Sequence, residues 1–125
     1  MLKILFLGDV VSTEGVRYLE NGGRLRKLRE RLGADLVVVN GENSAEGNGI
    51  TPESAERIYE SGADVITGGN HTWRRHEINR FLDDEDYIIR PLNYPAEASG
   101  MGYVIVNVGG VRVLVLNVAG NVYLE

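Results

Sequence analysis

Leu36-Val37-Val38-Val39-Asn40-Gly41-Glu42-Asn43 sets four consecutive apolar residues against a polar cluster with a glycine inside it. A short apolar run with no alternation reads as a strand covered on both faces, the kind found in parallel sheets flanked by helices. Gly41 ends the run, and a carboxylate and an amide follow at once. The same arrangement recurs on either side. Leu2-Lys3-Ile4-Leu5-Phe6-Leu7 is stopped by Gly8-Asp9, and Val65-Ile66-Thr67 runs into Gly68-Gly69-Asn70-His71-Thr72-Trp73. Between these runs lie helical patterns. Tyr18 to Leu32 carries Leu25, Leu28 and Leu32 at helical spacing and ends at Gly33, with Gly22-Gly23 weakening its front so that it starts as late as Arg24. Thr51-Pro52-Glu53 opens a second helix, with Thr as the cap and Pro in the first turn. It runs to about Ser61 with Ala55, Ile58 and Tyr59 inward, and Gly62 stops it. A third runs from Arg75 to Leu82 with Ile78, Phe81 and Leu82 inward. The order β-α-β-α-β-α predicts a parallel sheet with right-handed crossovers.

The last third changes character. Tyr87-Ile88-Ile89 reads as a short strand. Tyr103 to Val108 and Val111 to Val118 flank Gly109-Gly110, a two-residue connection of the kind that closes an antiparallel hairpin. Asn117 to Glu125 follows with no further element of its own. The fold class is therefore α/β, a parallel sheet followed by an antiparallel hairpin, in a single domain spanning 1–125.

Composition narrows the function. A net charge of −5 gives no basic excess for a nucleic-acid backbone, and the basic stretch Arg24 to Arg31, interrupted by Glu30, reads as one helix face. The absence of cysteine excludes disulfides and thiolate metal sites. The N-terminus lacks the pattern of a signal peptide and no run approaches a membrane span, so the chain reads as cytoplasmic.

In open α/β sheets, ligands bind beyond the carboxyl ends of the strands. Three strands there deliver Asp9, Glu42, Asn43, Asn70 and His71. Taken singly, each has an ordinary explanation: Asp9 as a turn residue, Glu42 as a rim carboxylate, Asn70-His71 as structural polar residues. Taken together they make a site. Carboxylate, amide and imidazole donors suit Mn, Fe, Zn or Mg better than a soft metal. The loop Gly8 to Gly15 has neither a P-loop nor the dinucleotide Gly-x-Gly-x-x-Gly spacing, which weighs against a nucleotide-binding domain acting by its crevice alone.

Gly8-Asp9-Val10-Val11, Asn40-Gly41-Glu42-Asn43 with Gly47 and Gly49-Ile50-Thr51, Gly69-Asn70-His71-Thr72-Trp73, Arg90-Pro91 and Asn93-Tyr94-Pro95 keep order and spacing together along the whole chain. This set resembles the YmdB-type branch of the calcineurin-like metallophosphoesterases. Its Glu-Asn and Asn-His-Thr-Trp blocks set it apart from relatives whose first motif is Asp-x-His; here Val11 stands at that position. The resemblance implies an αββα sandwich, of which this sequence carries the N-terminal half. It implies a phosphodiesterase using two divalent or transition metal ions (Fe, Mn, Zn or Mg) on 2′,3′-cyclic nucleotides or similar phosphodiesters. By position, Asp9 and Asn43 hold one metal, Glu42 bridges both, Asn70 holds the second, and His71 is catalytic beside the scissile phosphate. It also implies a longer chain whose second half brings more histidine ligands, whereas this sequence holds only His71 and His76, the latter read as a surface residue in the third helix. Three readings stay open: a phosphodiesterase completed by a second half or a partner copy, a silent metal- or phosphate-binding half-domain, and a nucleotide-binding domain.

Overall fold

The computed structural model describes residues 1–123; Leu124 and Glu125, the end of the segment after the hairpin, lie outside the described residues. Three parallel strands, β1 (Ile4–Leu7), β2 (Leu36–Asn40) and β3 (Val65–Thr67), lie in the order β1-β2-β3. Leu5 stands opposite Val37 and Val39 opposite Ile66, so all three strands deliver their carboxyl ends to one edge. Ile88 adds a single parallel bridge to Ile66, the whole of the expected short strand. Four helices follow the strands: α1 (Ser12–Glu20), α2 (Arg24–Leu32), α3 (Pro52–Glu60) and α4 (Ile78–Asp84). The hairpin pairs β4 (Tyr103–Val108) with β5 (Val111–Leu116). Gly109 and Gly110 both have positive φ, 55° and 83°, as a type I′ connection requires. No described helix is long and apolar enough to cross a membrane.

The strand period of two sorts each strand into two cores. Val37, Val39 and Ile66 face the helices, where they join Val16, Leu19, Leu25, Ile50, Ala55, Ile58, Ile78 and Leu82. Leu36, Val38 and Val65 face the hairpin, meeting Ile89 and Val115 with Val104, Val106, Val108 and Val113 alongside. The result is three layers: helices, parallel sheet, hairpin. Thr51 caps α3 by accepting from the Ser54 N–H at 3.1 Å, while Ser54 Oγ accepts from the Thr51 N–H at 3.0 Å, the two-way capping box. The basic face of α2 is a working surface, since Arg29 pairs with Asp64 at 3.0 Å.

Several expectations are corrected. The helix read as Tyr18 to Leu32 is two helices, because α1 begins six residues earlier at Ser12 and the chain breaks at Asn21–Gly23, where Gly22 and Gly23 take φ of 64° and 65°. Of the leucines at helical spacing Leu25 is buried and Leu32 is exposed, and Tyr18 lies outside with the Arg24 guanidinium 3.9 Å above its ring. The first strand is covered on one face only: Leu5 and Leu7 pack against the helical core, whereas Ile4 and Phe6 are 51% and 61% exposed. Tyr59 is also half out, stacked on Tyr87 at 4.0 Å. The last helix starts at Ile78, so the exposed His76 precedes it in a run of turns.

Candidate functional site

The loops after β1 and β2 are laced together before any side chain takes part. The Val10 N–H donates to the Asn40 carbonyl at 3.1 Å, and the Ser12 N–H to the Asn43 carbonyl at 2.8 Å. Ser12 holds φ at 60°, an uncommon conformation for a residue with a side chain. Its hydroxyl bonds to the Glu14 carboxylate, which holds that carboxyl below its usual range. The strained turn brings Asp9 over the second loop, and the Asn43 amide donates to both Asp9 oxygens, at 3.1 and 3.0 Å.

A second pair forms between the loops after β2 and β3. Glu42 Oε2 accepts from the His71 backbone N–H at 3.1 Å, and His71 Nδ1 lies 3.5 Å from the same oxygen. Glu42 reaches this position because residue 69 is glycine: a Cβ there would collide with its carboxylate. The glycine pair therefore admits a close approach, and what approaches is Glu42. Gly68 is equally confined, since a Cβ on it would strike the Thr72 side chain. The fully buried Thr72 hydroxyl accepts from the Gly69 N–H at 2.8 Å and donates to the Gly69 carbonyl at 2.8 Å, closing the turn.

Asp9 thus meets Asn43, and Glu42 meets His71. The two pairs are joined because Glu42 and Asn43 are consecutive residues. Asn70 stands between Gly69 and His71 with its side chain exposed and, among the described residues, without a hydrogen bond to another member. His76 has no place in the cluster. Two atoms in it are buried and lack a hydrogen-bond partner, Asn43 Oδ1 and His71 Nδ1. Such atoms carry a cost unless a cation, a proton donor or a ligand meets them. In kind, two carboxylates and amide oxygens are the hard donors that divalent cations take. In number they are few: among the described residues no three His, Cys, Asp or Glu side chains group as a ligand set, so any cation site here leans on the asparagines.

Asn40 and Asn117 were not among the expected site residues, yet both reach the same turn, each donating its Nδ2 to the Gly68 carbonyl at 3.3 Å. The signal was a repeated pattern: Leu36-Val37-Val38-Val39-Asn40 and Val113-Leu114-Val115-Leu116-Asn117 each end an apolar run on an asparagine. Trp73, in the same motif as His71, turns away from the cluster. Its indole N–H donates to the Ser99 carbonyl at 3.2 Å and its ring tilts against Tyr94 at 4.8 Å. There it helps hold the 91–100 loop, as does the buried Arg90, whose guanidinium donates to the carbonyls of Pro91, Ala98 and Gly100.

Comparison with known proteins extends this picture. The 2′,3′-cyclic-nucleotide 2′-phosphodiesterase of Bacillus subtilis (strain 168) is 37% identical over 123 residues, covering 98% of this chain and 46% of that protein. A crystal structure of a hypothetical protein from Thermus thermophilus superposes with a TM-score of 0.88 at 37% identity, covering 98% of this chain and 46% of the other. A crystal structure described as a novel phosphatase, from Mycoplasma pneumoniae, gives 0.85 at 31% identity, with 95% and 43% covered. The chain spans less than half the length of each of these. The profile of the family described as YmdB-like protein matches residues 5–125. The chain belongs to the YmdB-like family.

Proposed function

We propose that the chain carries the N-terminal part of the active site of a metal-dependent phosphodiesterase acting on 2′,3′-cyclic nucleotides or similar phosphodiesters. The observation that carries this reading is the meeting of Asp9 with Asn43 and of Glu42 with His71 at the carboxyl edge of three parallel strands. Family membership and the name of the Bacillus subtilis relative support the reaction class. Asp9 and Asn43 would hold one ion of Fe, Mn, Zn or Mg, Glu42 would be shared between the two ions, and Asn70 would hold the second. When bound, two such ions polarise the phosphoryl oxygens and lower the pKa of a bridging water.

The remaining steps fall to the chain's own groups. The His71 backbone N–H fixes one Glu42 oxygen while leaving it a free lone pair. His71 Nδ1 faces that carboxylate, so Nε2 is the nitrogen that passes a proton to the departing oxygen. The amides of Asn43 and Asn70 bind without adding negative charge, which keeps the site attractive to a phosphodiester anion. These residues would offer one ion three ligands and the other two, leaving further positions to substrate, to water, or to the second half of a family-length chain or a partner copy.

That shortfall favours one alternative, a half-domain that binds metal or phosphate without turnover. A chromogenic bis-aryl phosphodiester with added Mn²⁺, read beside the melting temperature, separates the two. Hydrolysis by this chain that drops ~10²–10⁴-fold in His71→Ala and is lost in Glu42→Ala supports the enzyme reading. A rise in melting temperature with Mn²⁺, absent in Glu42→Ala and unaccompanied by hydrolysis, supports the silent half-domain. Indifference to Mn²⁺ in both measurements overturns the metal site.

A further inference from the structure

Asn40 closes β2 in the parallel sheet, and Asn117 follows β5 in the hairpin, so the two come from different layers. Their side chains converge on one atom. Both Nδ2 groups donate to the Gly68 carbonyl oxygen, each at 3.3 Å, and fill the two lone pairs that a carbonyl offers. The arrangement is not free. Asn40 Oδ1 and Asn117 Oδ1 are both buried with no hydrogen-bond partner, and burying an unsatisfied acceptor costs free energy. Both amides nevertheless spend their donors on a single backbone oxygen.

That oxygen belongs to the peptide at the base of the candidate site. The Thr72 hydroxyl brackets Gly69, Gly69 lies against the Glu42 carboxylate, and His71 donates to Glu42 from the next turn of chain. Fixing the Gly68 carbonyl from one side and the Gly69 N–H and carbonyl from the other fixes the surface on which Glu42 rests and from which Asn70 departs. Asn117 is itself held: its N–H donates to the Gly102 carbonyl at 3.0 Å and its carbonyl accepts from the Leu92 N–H at 2.9 Å. We infer that Asn117, with Asn40, is a positioning residue of the site, clamping the Gly68 carbonyl so that the Gly69–His71 turn presents Glu42 and Asn70 in a fixed geometry. What the turn presents rests on the proposed metal site; the clamp on the backbone does not.

Asn117→Leu keeps the side-chain size and removes the donor. Two readouts apply to the full chain: amide hydrogen exchange residue by residue, and Mn²⁺ affinity by titration calorimetry. Exchange at the Gly69 and His71 amides is expected to accelerate roughly tenfold, the worth of one net hydrogen bond, while Val38, Val39 and Ile66 keep their rates. Mn²⁺ affinity is expected to fall ~10–100-fold, as when a group that orients a metal ligand is removed. Asn40→Leu reaches the same carbonyl from the other layer and repeats the pattern, which keeps the test alive if Asn117→Leu fails to fold. Unchanged exchange at Gly69 and His71, or equal acceleration throughout the sheet, overturns the inference. Local acceleration in variants of a chain that binds no Mn²⁺ supports the clamp and removes the metal site beneath it.

Discussion

The two faces of the parallel sheet are built from alternate residues of the same strands, and they have unequal cover. On the helix side, Val37, Val39 and Ile66 meet residues from all four helices, and Ile58, Ile78 and Leu25 are sealed from solvent. On the hairpin side, five valines of β4 and β5 cover Leu36, Val38 and Val65, while Ile4 and Phe6 at the β1 edge stay outside. The hairpin's own outer face, Tyr103, Ile105, Leu114 and Leu116, is 42–59% exposed. An apolar residue on one face therefore contributes to a closed core, and its neighbour one position along contributes little. The candidate site sits at the sheet edge, and both layers supply it: Asn40 ends β2, Glu42 and Asn43 follow it, and Asn117 follows β5 of the partly open layer.

The contrast is broken most directly by truncating one residue in each core. Ile58→Ala removes a fully buried side chain from the helix-side cluster and is expected to cost ~2–5 kcal/mol. Val115→Ala removes two methyls from the hairpin side, at about 1.5 kcal/mol by the buried-methylene rule. Urea denaturation midpoints at constant slope measure both. Equal losses would mean the hairpin closes its face as completely as the helices close theirs.

A smaller effect tests how the helices on the closed side are tied together. Arg57 of α3 grips Glu20 at the end of α1 in a two-pronged ion pair, at 2.6 and 2.8 Å. The Arg57 guanidinium holds the Glu20 carboxyl below its ordinary value. A carboxyl depressed in the folded state binds its proton more readily when unfolded. Its contribution is therefore complete above the unfolded value of about 4.3 and fades as pH falls from there through the lowered folded value. The pair is partly solvated, so Glu20→Gln is expected to cost ~0.2–1 kcal/mol at neutral pH. Below the folded value the variant and the wild type converge. Urea titrations at neutral and acidic pH check this, and a gap that persists at low pH would show that the loss came from packing.

Legibility in the sequence followed the same division. Strands two and three were readable because a run apolar at every position needs cover on both sides, and it has it. The first strand shows the same run, Ile4-Leu5-Phe6-Leu7, but an apolar run states a demand for cover and not its supply. The helix at Ser12 was hidden: Gly15 interrupts it, Val10 and Val11 precede it, and the structure gives it no side-chain cap. Only Val16 and Leu19, at helical spacing, betray it. At the candidate site, Asp9, Glu42, Asn43, Asn70 and His71 stood out because each lies just past the carboxyl end of a strand; the structure pairs Asp9 with Asn43 and Glu42 with His71 and leaves Asn70 exposed. Asn117 was not singled out: its one mark is an apolar run that ends on an asparagine, as at Asn40, and nothing in that mark says that the residue after β5 folds back on a glycine carbonyl 49 residues away.

The smallest expected effect bears on the open side. Phe6 and Leu7 are adjacent on β1, yet Leu7 packs with the helical core and Phe6 is 61% exposed. Phe6→Gln leaves no cavity, because no described side chain closes over the ring, and it unpairs no strand, because the β1–β2 ladder is made by the backbone. Its cost in stability should lie within about 0.5 kcal/mol, the range of surface substitutions. The same change should lower the binding of an apolar fluorescent dye to the folded chain, since a contiguous exposed apolar surface is what such a dye finds. A dye signal that is unchanged would place the accessible apolar surface on the hairpin alone. A loss of several kcal/mol would mean that Phe6 is packed in solution and that the two faces of the sheet are more alike than their exposures suggest.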